Sequence, residues 1–290
     1  MKPLLIVKKQ GVYGSMQDQG RYGYRAYGIP RSGPMDKVSF QAAHYILNND
    51  KNQTSFEVFI GGFEFEALTG GTYVLTGAQS ECCVNGVPVE MWKTFQLAQG
   101  DRLTIKNVSC GSIVYLTPKG GFQTAQILAS NSCFPLGTIG DSVRKGSILY
   151  GHETESSASM PFTRGLYAPF RPTFKDAITV SVFKGPHFDL FTEESQQQLL
   201  QHSFQLTGGN RMGYYLKGSV LQLKEKKDIL SEATQFGTIQ VPQNGEPIVL
   251  MADAQTVGGY PIIATIHEED LHKIAQMRVF NTVKFALSEG

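Results

Sequence analysis

Short apolar runs, separated by Gly, Asn or Pro, recur along most of the chain. In several of them apolar and polar residues alternate, as in Phe63-Glu64-Phe65-Glu66-Ala67, and this period of two is typical of a strand with one buried face. The pair Asn85-Gly86 can adopt positive φ at both central positions of a turn and predicts a tight hairpin. We predict strands at Leu4–Val7, Phe56–Ile60, Phe63–Ala67, Tyr73–Thr76, Leu103–Ile105, Ile113–Thr117, Ile178–Phe183, Pro247–Met251, Ile262–Ile266 and Val283–Ala286.

Helical periodicity occurs in three short segments. In the first, Asp36 is placed to cap a helix that ends at Asn48-Asn49 and carries Val38, Ala42, Tyr45 and Ile46 on its inner side. Thr192 is placed to cap a second helix, and a third begins near Asp270. The sequence therefore predicts a mainly β chain with a few short helices.

The length of 290 residues favours two domains, because single cores tend to stop growing near about 250–300 residues. The segment from Gly151 to Pro172 is polar and proline-rich and has no clear period, so it predicts a connector. We place the boundary near residue 170, which gives two β-rich units, 1–170 and 171–290.

The charge pattern narrows the possible partners. Lys and Arg number 26 against 25 Asp and Glu, without a basic block, so neither nucleic acid nor an anionic membrane is an expected partner. The first apolar run, Leu4–Val7, is too short for a signal peptide or a membrane span, and no later run approaches the required ~18 residues. We expect a cytoplasmic protein.

Neither a metal nor a covalent cofactor is predicted on this chain. The four cysteines lack a C-x-x-C spacing, and His267 and His272, which flank Asp270, are interpreted as surface residues. There is no P-loop motif, and the only Met-Lys pair, Met1-Lys2, does not suit biotinylation, so any biotin would be carried by another chain.

Two polar segments are candidate binding sites. Gln17, Asp18 and Arg21 precede a stretch rich in Gly and Pro that leads to Asp36, and such a turn can present side chains and amides to an amide or a carboxylate. Alternatively, Asp18 braces the turn through Arg21 and Asp36 only caps the helix.

The second segment follows a predicted buried strand, which delivers Asp253, Gln255 and Thr256 to the turn Gly258-Gly259. A Gly-Gly turn lets a ligand approach the backbone closely. Arg211, in a separate Gly-rich segment, suits a carboxylate or a phosphorylated intermediate. The alternatives are that Asp253 and Thr256 satisfy turn amides and that Arg211 forms a salt bridge between domains.

Three long segments together resemble one family. They read QDQGRYGYRAYGIPRSGPMD, GNRMGYYLKG and GTIQVPQNGEPIVLMADAQTVGGYP, and the resemblance extends from Leu5 to Phe285. In this order they are similar to the allophanate hydrolase subunit 2 family, also called the biotin-dependent carboxyltransferase-like family.

The resemblance implies two β-barrel units of cyclophilin-like type and a function in a cytoplasmic complex. The implied reaction is the ATP-dependent opening of 5-oxoproline to glutamate, together with an A-like partner and a B-like partner, the second of which is similar to a kinase inhibitor. ATP would be used by the complex, and none is expected to be bound as a cofactor of this chain. Two alternatives stay open: carboxyl transfer from biotin on another chain to urea or a similar amide, and a non-catalytic role in which the chain binds and regulates the B-like partner.

The resemblance also assigns roles to residues. Asp18, Asp253 and Arg211 are the expected catalytic residues, with an aspartate positioning water or the ring N–H and Arg211 holding the carboxylate. The expected substrate-binding residues are Gln17, Arg21, Asp36, Gln240, Gln255, Thr256, Gly258, Gly259 and Tyr260.

The chain departs from the family pattern in two places. Ala129-Ser130 stands where the family usually has Gly-Ser, which is expected to reshape a pocket loop. Arg278-Val279-Phe280-Asn281 replaces the typical Arg-Pro-Gly-Asp, which is expected to alter only a turn before the last strand.

Overall fold

The computed structural model describes residues 1–140, 142–152, 163–225 and 229–288. Contacts within the chain define two compact units: Met1–Tyr22 with Ser32–Thr173, and Gly23–Arg31 with Phe174–Gly290. The division expected from sequence, 1–170 and 171–290, differs from these units at residues 23–31, which group with the second unit, and at residues 171–173, which group with the first. The predicted connector at 151–172 lies partly outside the described residues, since 153–162 are not among them.

The first unit is built on a ten-stranded sheet. Its strands run in the order β2-β3-β8-β4-β1-β10-β9, and the long strand β5 pairs with β8, β6 and β7. Their bounds are β1 Lys2–Lys9, β2 Tyr13–Gln17, β3 Ser55–Phe59, β4 Phe63–Ala67, β5 Gly71–Val84, β6 Val87–Val89, β7 Phe95–Leu97, β8 Arg102–Pro118, β9 Phe122–Gln123 and β10 Ile148–Gly151.

The core of this unit follows from the alternation in the sequence. In β4 the side chains of Phe63, Phe65 and Ala67 are buried, and the intervening Glu64 and Glu66 are half-buried. The rings of Phe63 and Phe65 pack against Phe56 of β3, with centroids 5.3 and 5.8 Å from it. Burying each such ring contributes roughly 1.5–3 kcal/mol.

One helix, α1 (Lys37–Leu47), packs against β5 and β8. The predicted cap is confirmed, because the Asp36 carboxylate accepts a hydrogen bond from Ser39 N at 2.9 Å. The predicted inner side is confirmed for Ile46, which is buried, and wrong for Val38 and Tyr45, which are 40% and 68% exposed. The buried face instead includes Phe40, Ala43 and Leu47, whose spacing of three and four residues matches the helical period.

The predicted hairpin is also confirmed. Asn85 and Gly86, between β5 and β6, have φ of 51° and 82°, the left-handed values that a tight two-residue turn requires.

The second unit contains a closed barrel with the strand order β11-β18-β15-β16-β13-β12-β19. Its strands pair antiparallel except for the parallel pair β11–β19. A separate two-stranded sheet joins β14 to β17. The bounds are β11 Ala177–Lys184, β12 Ser203–Gly209, β13 Gly213–Lys217, β14 Glu232–Ala233, β15 Thr238–Gln240, β16 Ile248–Leu250, β17 Val257–Gly258, β18 Ile262–Ile266 and β19 Thr282–Leu287.

Two further helices belong to this unit, α2 (Glu193–Gln201) and α3 (Leu271–Ala275). The predicted cap of α2 is confirmed, because the Thr192 hydroxyl accepts a hydrogen bond from Ser195 N at 3.2 Å. The prediction of a mainly β chain with two barrel-type units and a few short helices is therefore confirmed. Within the described ranges, no helix has the length and apolar character needed to cross a bilayer.

Candidate functional site

Asp18 lies directly after β2, and its carboxylate is held by four hydrogen bonds. Oδ1 accepts from Gly20 N at 2.8 Å and from the hydroxyls of Ser130 and Ser132 at 2.6 Å each. Oδ2 accepts from Asn131 N at 2.6 Å. The residue is 6% exposed, so this carboxylate anchors the segment 130–132 to the end of β2.

Gln17 and Arg21 reach the same segment. Gln17 Nε2 donates to Cys133 O at 3.1 Å and to Ser15 Oγ at 2.9 Å. Arg21, fully buried, donates from Nη2 to Ser132 O and from Nη1 to Ser32 Oγ. The structure therefore brings Gln17, Asp18 and Arg21 together on residues 130–133.

Sequence reasoning did not assign residues 130–133 to this cluster. The only signal was the departure at Ala129-Ser130, and it coincides with an unusual backbone: Leu128 and Ala129 both have left-handed φ, 53° and 57°, in the turn where Ile127 pairs with Ser130. Left-handed φ is uncommon outside Gly, Asn and Asp.

Asp36, the remaining predicted site residue of this unit, belongs to a different buried network. Its carboxylate accepts from the hydroxyl and the backbone N–H of Ser39, and its own N–H donates to the Tyr115 hydroxyl at 2.9 Å. Tyr115 in turn donates to Glu57 Oε2 at 2.6 Å. Burial, with the charge of Glu57, raises the pKa of Tyr115 well above its usual value, so the phenol stays protonated and donates.

In the second unit, Arg211 and Asp253 form a bidentate ion pair. Arg211 Nε donates to Asp253 Oδ2 at 2.7 Å, and Nη2 donates to Oδ1 at 2.9 Å. The two side chains are 5% and 4% exposed. The backbones are also joined, because Asp253 N donates to Arg211 O at 2.7 Å, so the pair connects the turn before β13 to the turn after β16.

Gln240, at the end of β15, and Gln255 form a pair of amides. Gln255 Nε2 donates to Gln240 Oε1 at 3.2 Å. Gln240 is 1% exposed, and its Nε2 has no hydrogen-bond partner among the described residues. A Cβ added to Gly258 would lie 2.5 Å from this nitrogen, so the Gln240 amide packs directly against a glycine.

The segment around Gly258 is held by residues that sequence reasoning missed. Thr234 N donates to Thr256 O at 3.0 Å, and the Thr234 hydroxyl donates to Gln255 O at 2.6 Å. Arg25 donates to Thr234 O. Thr256 is buried, whereas Gln255, Gly259 and Tyr260 are exposed, so residues 255–260 combine a backbone held by hydrogen bonds with accessible side chains.

The four cysteines are free thiols. The described part of the chain contains no group of His, Cys, Asp and Glu side chains arranged to hold a metal ion.

Comparison with known proteins identifies the class. The model of the family described as "Carboxyltransferase domain, subdomain A and B" matches residues 27–287, and the chain belongs to this family. The predicted family membership is thereby confirmed.

Individual relatives cover nearly the whole chain. It is 34% identical over 286 residues to the C subunit of the 5-oxoprolinase of Haemophilus influenzae, a match that covers 98% of this chain and 90% of the relative. It is 31% identical to the C subunit of the 5-oxoprolinase of Escherichia coli, over 97% and 90% of the two chains. Among solved structures, the urea amidolyase of K. lactis superposes with a TM-score of 0.91 at 25% identity, over 99% of this chain and 19% of that one.

Proposed function

We propose that this chain is the C subunit of a 5-oxoprolinase and takes part in the ATP-dependent opening of 5-oxoproline to glutamate. The observation that carries the proposal is the near full-length similarity to two 5-oxoprolinase C subunits, each matched over 90% of its own length. A role in a hydrolase complex accounts for a match that extends over nine-tenths of each of these subunits.

To bind a cyclic amide, the site needs a hydrogen-bond donor for its carbonyl oxygen and an acceptor for its N–H. Gln240 Nε2 is a buried donor that no described residue uses, and a buried donor without an acceptor costs about 1–3 kcal/mol. An uncharged carbonyl oxygen is the acceptor that would remove this cost. We assign Gln240, Gln255 and the backbone at Gly258 and Gly259 to binding of the lactam.

We propose that the Arg211–Asp253 ion pair supports residues 255–260, which carry the lactam-binding groups. Both carboxylate oxygens of Asp253 already accept from Arg211, so the carboxylate is not free to act alone as a base. We assign the pair to holding the turn that leads from β16 to Gln255, with Thr256 and Tyr260 lining the site that this turn carries. A substitution in the pair then reduces activity by displacing the turn.

The other requirements of the reaction, ATP binding and activation of the lactam carbonyl, are assigned to the partner proteins of the complex. ATP is proposed to bind on another protein of the complex, because the sequence contains no glycine-rich phosphate loop of the P-loop type. We therefore propose that the chain is active only in a cytoplasmic complex with A-like and B-like partners, whose combined sites activate the lactam carbonyl and admit water.

A second candidate function is carboxyl transfer from biotin, carried on another chain, to urea or a similar amide. The family description and the TM-score of 0.91 to a urea amidolyase favour it. The matched region, however, makes up only 19% of that enzyme, and the 5-oxoprolinase C subunits match along almost their whole length.

Deletion of the gene in its own organism separates the two functions. The proposed function predicts that deletion causes 5-oxoproline to accumulate and abolishes growth on 5-oxoproline as the nitrogen source, and that the wild-type gene restores both. Growth on urea should not change. Loss of growth on urea with normal use of 5-oxoproline would reject the proposal in favour of carboxyl transfer.

A further inference from the structure

A buried histidine of the second unit, which the proposed function leaves unused, is held in one tautomer. His187 is 9% exposed, and the backbone N–H of Ile262 donates to its Nδ1 at 3.0 Å. The backbone N–H of His187 in turn donates to Ile262 O at 3.1 Å. Because a backbone N–H can only donate, Nδ1 must be unprotonated, and the hydrogen of the neutral ring is on Nε2. His187 therefore presents an oriented N–H donor.

The Nε2 atom of His187 faces the carboxylate of Glu232. It lies 3.7 Å from Glu232 Oε1, which is longer than a hydrogen bond but close enough for the N–H group to orient the carboxylate electrostatically. The Glu232 side chain is 46% exposed, and no described residue donates a hydrogen bond of ordinary length to its carboxylate. The carboxylate is thus oriented from one side and keeps its lone pairs for a ligand.

Strand pairing places Glu232 on the side of β17 that faces the Gln240 amide. In the pair β14–β17, Glu232 is directly opposite Gly258. Residues directly opposite each other in an antiparallel pair project to the same face, with Cβ atoms about 4.5–5.5 Å apart. A Cβ added at Gly258 would lie 2.5 Å from Gln240 Nε2, so this face is directed at the amide. Glu232 and the Gln240 amide are therefore neighbours across Gly258.

The two neighbouring groups have opposite hydrogen-bonding roles. Gln240 Oε1 accepts from Gln255, which makes Nε2 the donor end of the Gln240 amide. The ionised carboxylate of Glu232 can only accept. In a lactam ring the amide is cis, so the carbonyl oxygen and the N–H lie side by side on one edge and need a donor and an acceptor next to each other. The proposed function supplies the donor, and Glu232 supplies the acceptor.

Arg25 brings a positive charge to the same segment. Its guanidinium donates to Thr234 O, directly after β14, and the residue is exposed. A guanidinium has five N–H donors, so this bond leaves others for a carboxylate. A ligand that carries a carboxylate, as 5-oxoproline does, can therefore bind near Glu232 without two unopposed negative charges.

We infer that Glu232 accepts the N–H of the cyclic amide whose carbonyl oxygen is bound by Gln240, and that His187 is a positioning residue that orients the Glu232 carboxylate. All three residues belong to the second unit. The inference rests on the proposed function for the choice of 5-oxoproline as the ligand.

The test of Glu232 compares 5-oxoproline with the corresponding lactone, in which a ring oxygen replaces the N–H. Calorimetry measures binding of each to the complete complex with a non-hydrolysable ATP analogue. The wild type should bind the lactam at least about tenfold more tightly, since a hydrogen bond to a charged group corresponds to that factor or more. In Glu232→Leu the preference should fall towards one, whereas Glu232→Gln, which keeps an acceptor oxygen, should retain part of it. The matched control is Glu269→Leu, at an exposed glutamate beyond the far end of β18, and it should behave as wild type.

Two substitutions of His187 separate orientation of Glu232 from bracing of the backbone. His187→Asn keeps an acceptor in place of Nδ1 for the N–H of Ile262, but its side chain is too short to put a donor at the position of Nε2. His187→Gln is long enough to keep that donor. The positioning role predicts that His187→Gln retains most of the preference for the lactam and that His187→Asn loses most of it, even if urea denaturation finds His187→Asn the more stable variant.

The outcomes distinguish this inference from the proposed function. If the complex forms glutamate from 5-oxoproline but the wild type shows no preference for the lactam, or Glu232→Leu keeps it, the role of Glu232 is rejected while the proposed function stands. If His187→Asn keeps the preference and His187→Gln loses it, His187 only braces the backbone and its positioning role is rejected. A wild-type complex that neither binds nor turns over 5-oxoproline would reject both proposals.

Discussion

The buried pair Arg211–Asp253 gives a prediction whose size can be estimated from the structure. The side chains are 5% and 4% exposed and share two hydrogen bonds of 2.7 and 2.9 Å, so removing one partner leaves the other as an uncompensated buried charge. Such a loss typically costs about 3–5 kcal/mol. Arg211→Met and Asp253→Leu should each lower the free energy of unfolding by about this amount.

The double variant Arg211→Met/Asp253→Leu distinguishes charge pairing from simple loss of packing. Replacing both partners by apolar side chains removes the buried charges together, and such replacements are often neutral or stabilising. We therefore expect the double variant to recover most of the stability while activity stays low, because the turn after β16 loses its anchor.

Urea denaturation of the isolated chain, followed by circular dichroism, measures these differences. Hydrogen exchange at the amides of Met251 and Asp253, which donate to Met212 O and Arg211 O, reports on the same turn locally. The matched control is Lys106→Met, which breaks an equally short but exposed ion pair with Glu81 and should leave the midpoint almost unchanged. The reasoning is wrong if Arg211→Met is no more destabilising than this control, or if the double variant is less stable than both single variants.

Three further predictions concern other parts of the chain. Burial lowers the pKa of His44 to about 4, so between pH 6.5 and 4 the unfolded chain binds a proton that the folded chain does not, and the free energy of unfolding should fall by up to about 3 kcal/mol as the pH decreases through this window. Denaturation curves over this pH range should show the decrease in wild type and in the exposed control His202→Gln, but not in His44→Gln. Ala129→Gly should raise the free energy of unfolding by about 0.5–1 kcal/mol, because φ at this residue is 57° and glycine adopts such a value without strain. The control Ala125→Gly, at an exposed position without positive φ, should lower the free energy of unfolding, and equal effects of the two substitutions would contradict strain at Ala129. Burial raises the pKa of the Cys82 thiol to about 11, so the half-buried Cys83 should be alkylated before Cys82 at pH 8. Mass spectrometry of the alkylated protein measures the order, and modification of Cys82 first would contradict its burial.

The fold could be predicted where local chemistry decides the outcome. The hairpin at Asn85-Gly86 and the caps at Asp36 and Thr192 depend on residues that are adjacent in sequence, and the structure contains all three. The inner side of α1 could not be predicted in the same way, since Val38, Tyr45 and Phe40 all carry side chains that can be buried. The orientation of α1 against β5 and β8 decides which of them is buried.

The contacts within the candidate site could likewise not be predicted from local sequence. The sequence identified Asp18, Arg211 and Asp253 as polar groups in Gly-rich turns, but it did not reveal that Arg211 would bind Asp253 or that Asp18 would bind residues 130–132. These contacts join positions 42 and more than 110 residues apart in the chain. Only the folded sheets bring them within hydrogen-bonding distance, so they could not be inferred from spacing.

The central claim is that this chain is an obligatory component for opening 5-oxoproline. It is tested most directly by following isotopically labelled 5-oxoproline by NMR in mixtures of this chain with its A-like and B-like partners and ATP. We predict that labelled glutamate forms only when this chain, both partners and ATP are all present, with phosphate released alongside it. Formation of glutamate at the full rate by the two partners without this chain would contradict the claim.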